Sequence, residues 1–436
     1  MKIKEAGKRL GLTLAAIATL SMTACGVSNS AAPVIIQEEP ETVMQEVNET
    51  LPEETNEEQN VVRAISETVY ERFPDADFIE QISAEKYVVL YRSDTHISAE
   101  VKIYDVTKDK VMKSFKVYSD DWFVKPVIYM DQGFGFISER GGVKNHGVDA
   151  VFYDIDGNLV NRFSKDFDMN LFSSYTFAPD GSAFYVSLND NEMCACGYSF
   201  KTDYTTKIIA VYGDGSEELI KEFDSHTDLS FLGTTPDGKI VVRYQYDPNE
   251  KELHTHEEFE REWMLIGENE GKEKVERGFA LLDPKAGDEQ ELEKIYQYDG
   301  YFTEVVLRGD SIITADSNEI RKICPDENGV YQEIKYETEI GAEGYSFELY
   351  VSANGEFVAY PTYTDGFMDT TVNVLQFENG SADLAYSEFF EGKNIEFKQN
   401  YTISMLDEAT GDLYGIYNET AEGGLRNQIF YVNIFE

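Results

Sequence analysis

The chain has 436 residues, with 82 Asp plus Glu against 37 Lys plus Arg, for a formal charge of −45. Such a surplus repels DNA, RNA and anionic lipid, because binding a polyanion requires Lys and Arg to displace its counterions. The hydrophobic fraction of 42% and aromatic fraction of 13% are nonetheless those of a chain that buries a core, which excludes global disorder.

In chain order, the first element is an export signal. Lys2, Lys4, Lys8 and Arg9 precede the apolar run Leu10 to Met22, whose 13 residues are too few to span a bilayer and suit the core of a signal peptide. The run leads into Met22-Thr23-Ala24-Cys25, which resembles the lipobox of bacterial lipoproteins, with Met22 where that family usually has Leu. The resemblance implies cleavage before Cys25 and acylation of its thiol, palmitate among the acyl groups. The protein is then expected on a cell membrane, facing away from the cytoplasm. Removing residues 1–24 takes away four basic groups and one acidic group and leaves a charge of −48. Two or more acyl chains, at about 0.8 kcal/mol per buried CH₂, are expected to hold it there in spite of that charge.

Residues 25–60 form the next unit. From Val27 to Asn60 there are nine Glu, no basic residue and no sustained periodicity, so the segment reads as a solvated, self-repelling tether.

The remainder, residues 61–436, is organised by repeats. FAPDGSAFYVS from Phe177, TTPDGKIVVRY from Thr234 and VSANGEFVAYP from Val351 each place an Asp-Gly or Asn-Gly turn before an alternating apolar strand, the signature of a β-hairpin. Weaker copies centre on Glu85, Gln132, Asp310 and Thr410, giving seven units. Most units continue into a second hairpin, as in VKIYDVTKDKVMKSFKV from Val101. Four short strands per unit at this period predict an all-β fold, a seven-bladed β-propeller of four-stranded antiparallel blades, since one blade cannot bury both faces until neighbours stack on it. The last unit supplies three strands. Val61 to Tyr70 is the expected fourth, and its spacing of Val62, Ile65 and Val69 also fits one face of a short helix.

The PDG turns and the Val101–Val117 stretch resemble bacterial WD40-like or YVTN-type propeller repeats, although the Gly-His and Trp-Asp dipeptides of true WD40 repeats are absent. The resemblance implies the fold and a habit of binding on one face, and it brings no catalytic residues with it.

If the strands of each blade run a to d from the channel outwards, the a–b and c–d turns share one face, and their Asp, Asn and Gly are explained by turn geometry. The b–c and d–a loops share the other. That face is expected to carry Arg92, His96, Trp122, Arg140, Lys144, His146, His226, His254, His256, Trp263 and Arg426, together with Cys194 and Cys196. Loops on a rigid scaffold are where binding sites are built, so this is the expected working face.

Its longest insertion is 248–277, where Phe259 and Trp263 suit one side of a short acidic helix. His254, His256 and Glu258 there make an incomplete metal set, short of a third fixed ligand and of the HExxH motif, so no metal and no other cofactor is expected. Cys194-Ala195-Cys196 and Cys324 are read as free thiols. The loop DIDGN at Asp154 lacks the closing Glu of a calcium loop, with Lys165 at that position, and is expected to be a turn. The reading is a lipid-anchored, extracytoplasmic, monomeric propeller that binds a protein, peptide or glycan. The alternatives are a hydrolase or lyase acting on an extracellular polymer from the same face, and an envelope assembly scaffold.

Overall fold

The structure is a computed structural model. It describes residues 73, 76–92, 98–118, 126–142, 145–167, 171–193, 199–224, 226–249, 274–287, 290–299, 302, 304–316, 318–338, 349–352, 355–364, 369–378, 380–390, 401–407, 412–421 and 424–433. These residues form antiparallel sheets whose strands follow one another in sequence.

Blade 1 contains β1 (Phe78–Ser83), β2 (Lys86–Arg92), β3 (Ser98–Asp105) and β4 (Lys110–Tyr118). Blade 2 contains β5 (Val127–Tyr129), β6 (Gly133–Gly142), β7 (Asn145–Asp154) and β8 (Leu159–Phe167). Blade 3 contains β9 (Leu171–Phe177), β10 (Ala183–Met193), β11 (Ser199–Tyr212) and β12 (Glu217–Phe223). Blade 4 contains β13 (Thr227–Thr234), β14 (Ile240–Tyr246), β15 (Glu276–Leu282) and β16 (Glu293–Gln297). Blade 5 contains β17 (Glu304–Arg308), β18 (Ser311–Ala315), β19 (Glu319–Pro325) and β20 (Tyr331–Glu337). Blade 6 contains β21 (Tyr350–Val351), β22 (Phe357–Thr364), β23 (Asp369–Glu378) and β24 (Ser381–Phe390).

A last sheet has only β25 (Tyr401–Asp407), β26 (Asp412–Ala421) and β27 (Gly424–Asn433), with β25 lying against β1 and β21. The expectation of seven four-stranded blades is therefore corrected: among the described residues six blades have four strands. The physical reason is strand supply, since among the described residues only three strands follow β24. The segment assigned as the missing strand, 61–70, lies outside the described residues, as do the signal peptide and tether.

Blades form because their strands are apolar on both faces, and each face needs a different neighbour. In β7 the alternation divides one strand between two cores. Val151 and Tyr153 pack with Val88, Leu90 and Val101 of blade 1, whereas Val148, Ala150 and Phe152 pack with Phe177, Phe184 and Val186 of blade 3. The same arrangement continues from blade 3 to blade 4 through Ala210 and Val242, from 4 to 5 through Phe279 and Ile312, and from 5 to 6 through Ile320 and Val358.

Hydrogen bonds near the axis reinforce these junctions. The buried Tyr129 hydroxyl of blade 2 donates to Phe177 O (3.1 Å), accepts from Phe177 N (3.2 Å) and lies 3.1 Å from Thr176 Oγ1, while Thr234 Oγ1 of blade 4 donates to Phe177 O (2.8 Å). Burial pushes the Tyr129 phenol above its usual range. The buried Lys322 spans blades 5 and 6 by donating from Nζ to Gly355 O (2.8 Å).

The a–b turns are those the sequence signals. In Ala178-Pro179-Asp180-Gly181 the Gly181 amide donates to Ala178 O (2.9 Å), Asp180 Oδ1 accepts from Ser182 N (3.0 Å) and Gly181 has φ 67°, a type I turn closed by a left-handed glycine. A side chain at Gly181 would meet the Phe152 ring 2.2 Å away, so the turn also seats blade 3 on blade 2.

Candidate functional site: the channel and its loop-side mouth

A cavity of about 640 Å³ runs between the first strands β1, β5, β13, β17 and β21 of their blades. At the end where the strands begin, on the loop face, it is lined by Asp77, Pro126, Glu304 and Leu349. At the opposite end, on the turn face, it is lined by Gln132, Pro179, Pro236 and Gly309. It therefore traverses the channel and reaches both faces. Between the ends the wall is mainly apolar, with Val127, Tyr129, Leu232 and Val306.

Charge in this cavity is unevenly placed. Its described lining holds three carboxylates, Asp77, Glu80 and Glu304, and one cation, Arg308. Glu304 and Arg308 occupy the two ends of β17, and at about 3.3 Å per residue they stand about 13 Å apart along the strand. Asp77, just ahead of β1, shares the loop-side end with Glu304. Glu80 is 7% exposed, and its Oε1 lies 3.6 Å from Arg308 Nη2, an ion pair joining blade 1 to blade 5. The remaining Arg308 contacts are Nε to Val351 O at 3.3 Å and Nη1 to Leu307 O at 3.5 Å. The Glu80 contact is longer than the 2.7–2.9 Å of a well-formed guanidinium–carboxylate contact, and the two carbonyl contacts lie beyond the usual 2.7–3.2 Å of an N–H···O bond. The sequence reading missed this group. The available signal was a charge inside the otherwise apolar first strand of a unit, FIEQIS and EVVLR, although alternation alone does not say which edge looks down the axis.

On the loop face, paired strands project beyond the blade body. In blade 3, β9 ends its pairing at Leu171 with Asp190, while β10 and β11 remain paired at Asn191 with Lys201, Glu192 with Phe200 and Met193 with Ser199. In blade 2, β6 and β7 pair out to Gly142 with Asn145, and in the three-stranded sheet β26 and β27 pair out to Ala421 with Gly424. The tips of these hairpins place His146, opposite Gly141, and Arg426, opposite Glu419, on this face. Arg92 ends β2 beside the b–c connection on the same side.

Two predicted site residues have described side chains, and both are engaged. The Arg140 guanidinium lies 3.0 Å from Asp149 Oδ2 and 2.7 Å from Asp166 Oδ1, and donates to Ser164 Oγ (3.2 Å), so it staples β6, β7 and β8 together. His226, directly ahead of β13, is fixed against the end of β14 within blade 4: its Nδ1 lies 2.9 Å from Asp247 O, its carbonyl accepts from Asp247 N (2.9 Å), and its ring centroid is 6.0 Å from that of Tyr246. Cys25, His96, Trp122, Lys144, Cys194, Cys196, His254, His256, Glu258 and Trp263 lie outside the described residues.

Cys324 is a free, partly buried thiol near the opposite, turn face, and burial raises its pKa. In DIDGN, Asp154 Oδ1 accepts from Asp156 N (2.9 Å) and Asn158 N (2.8 Å), a closed turn with its carboxylate occupied by backbone amides. Among the described residues no group of three His, Cys, Asp or Glu is placed to hold a metal ion.

No family model matches the chain, and no characterised protein matches it in sequence. Solved structures resemble it at the level of the fold. TolB from Acinetobacter baumannii is 12% identical over 82% of this chain and 76% of its own, with a TM-score of 0.33. An oligogalacturonate lyase in complex with manganese is 11% identical over 80% of this chain and 82% of its own, with a TM-score of 0.35. The class of protein is thus a β-propeller with four-stranded antiparallel blades, carried by the chain's own sheet topology.

Proposed function

We propose that this chain is a lipid-anchored, extracytoplasmic binding propeller. Acylated Cys25 holds it at the membrane, residues 25–60 stand it off, and the loop face receives a protein, peptide or glycan.

The observation that carries the binding reading is the mixed apolar and charged cavity open on the loop face, where paired hairpins project beyond the blades. A concave, mainly apolar site with a few placed charges is the usual form of a binding pocket. Trp122 and Trp263 are the amphipathic residues that such a face would use as anchors.

The test is capture from native membranes with the full chain as bait. Trp122→Ala combined with Trp263→Ala should lose the captured partner, while replacing the Asp214-Gly215 turn by Asn-Gly should retain it. Retention by the double variant together with loss in the turn variant places the binding surface on the other face. Localisation is tested separately: Cys25→Ala should release the protein from membranes or leave its precursor uncleaved, and normal processing with normal retention contradicts the anchor.

A further inference from the structure

We infer that the channel binds a short, extended peptide by its two opposite charges, with a free carboxylate at Arg308 and an amine at the Asp77–Glu304 end. This rests on the binding reading above and names its ligand class.

The cavity is polarised along its length. Arg308 stands at the last position of β17, and Glu304 and Asp77 stand at the loop-side end. A free carboxylate suits Arg308 because the guanidinium carries five donors in a fork, while its contacts here lie at 3.3, 3.5 and 3.6 Å. A ligand carboxylate reaching 2.7–2.9 Å gains two charge-assisted hydrogen bonds that the loose Glu80 pair lacks. Arg308 also keeps 28% of its side chain exposed although it lies within the channel.

A simple anion is disfavoured, because the described lining holds three carboxylates and one cation. An amine at the other end of the same ligand reverses that balance. The separation of about 13 Å matches about four extended residues at 3.3 Å each. Between the charges, Val127, Leu232 and Val306 offer apolar wall to small side chains.

The probe is tetra-alanine with free termini, titrated calorimetrically into the full chain and compared with its C-terminal amide and its N-acetyl form. Free tetra-alanine should bind, amidation should weaken it about tenfold or more, a loss of about 1.4 kcal/mol, and acetylation should weaken it about threefold. In Arg308→Gln the acid and the amide should bind alike. Glu304→Gln, a milder change at the far end of β17, should abolish the acetylation penalty and keep the amidation penalty. Circular dichroism confirms that each variant folds, and if Arg308→Gln does not fold, the Glu304→Gln pattern decides.

Equal binding of acid and amide by the wild-type chain overturns the inference. So does an amidation penalty that persists in folded Arg308→Gln, or no binding of tetra-alanine up to about 10 mM, weaker than the affinity at which binding free energy is about −4 kcal/mol. If membranes still yield a captured partner while tetra-alanine fails, the binding reading stands and the channel assignment falls. The converse result keeps the channel and removes the macromolecular partner.

Discussion

The two faces of the propeller are built differently from the same strands. On the turn face, tight loops press against neighbouring blades: Asp131 N of blade 2 donates to Ile82 O of blade 1 (2.9 Å), Lys86 pairs with Asp156, and Asn161 Nδ2 donates to Gly181 O (2.7 Å). On the loop face, hairpins such as β10–β11 run past the strands that flank them. The difference teaches that the blades are tied together where connections are short, while the hairpins that run beyond their neighbours lie outside those ties.

The strongest way to break this contrast is at a turn glycine. Gly181→Val requires a branched side chain at φ 67° and 2.2 Å from the Phe152 ring, so it should cost about 3 kcal/mol or more, or prevent folding. Gly215→Ala, at φ 81° with nothing within 4 Å, should cost about 1–2 kcal/mol from backbone conformation alone. Thermal or denaturant melting compares the two. Equal losses show that the Gly181 turn does not seat blade 3 on blade 2.

Next is Tyr129→Phe, which leaves the buried Phe177 amide without the hydroxyl it donates to. A loss of about 1–3 kcal/mol is expected in denaturant melts. A loss below about 0.3 kcal/mol removes the claim that this hydroxyl couples blades 2 and 3.

Asp105 sharpens the contrast through pH. This carboxylate, closing the blade 1 c–d turn, accepts from Lys108 Nζ (2.6 Å), Thr107 Oγ1 (2.7 Å) and Lys108 N (3.0 Å). Those bonds, the one to the Lys108 side chain foremost, hold its pKa at about 2 against 3.8 for the free group. A folded pKa below the unfolded one gives stability that is fully present above about pH 4 and is lost as pH falls towards 2. Asp105→Asn should therefore be less stable than the wild type at pH 7, with the gap closing by pH 2. A gap that is unchanged across that window contradicts the assignment.

The smallest stability effect belongs to the loop face. Replacing residues 191–201 by a two-residue Asn-Gly turn removes only pairs that lie beyond β9, so melting should change by less than about 1 kcal/mol while partner capture is lost. A large drop in stability means that the β10–β11 extension belongs to the scaffold.

How far the sequence revealed this architecture depended on whether its signals were local. Glu85, Gln132, Asp180, Asp237 and Asp310 all fall in or beside the connections between first and second strands, because a turn needs a left-handed glycine or a small polar residue at a fixed place. The unbroken apolar run from Ala150 to Tyr153 in β7 is likewise a local pattern, that of a strand buried on both faces. Arg140 was legible as a cation near a loop, but its pairing with Asp149 and Asp166 depends on cross-strand register, which no local pattern carries. Glu80, Glu304 and Arg308 were missed because they meet only after blades distant in sequence close around the axis. At β25–β27 the three strands read from the last unit are the three observed, whereas the fourth strand expected from 61–70 lies outside the described residues, so the count of seven four-stranded blades did not hold.

The central claim is that the loop face receives the partner, and hydrogen–deuterium exchange of the full chain with and without its captured partner tests it most directly. The account predicts added protection in the β6–β7 and β10–β11 hairpin tips and in the strand-start residues around Asp77 and Glu304, with exchange at the 178–182 and 235–239 turns unchanged. Protection confined to those turns, with the hairpin tips unaffected, would contradict it.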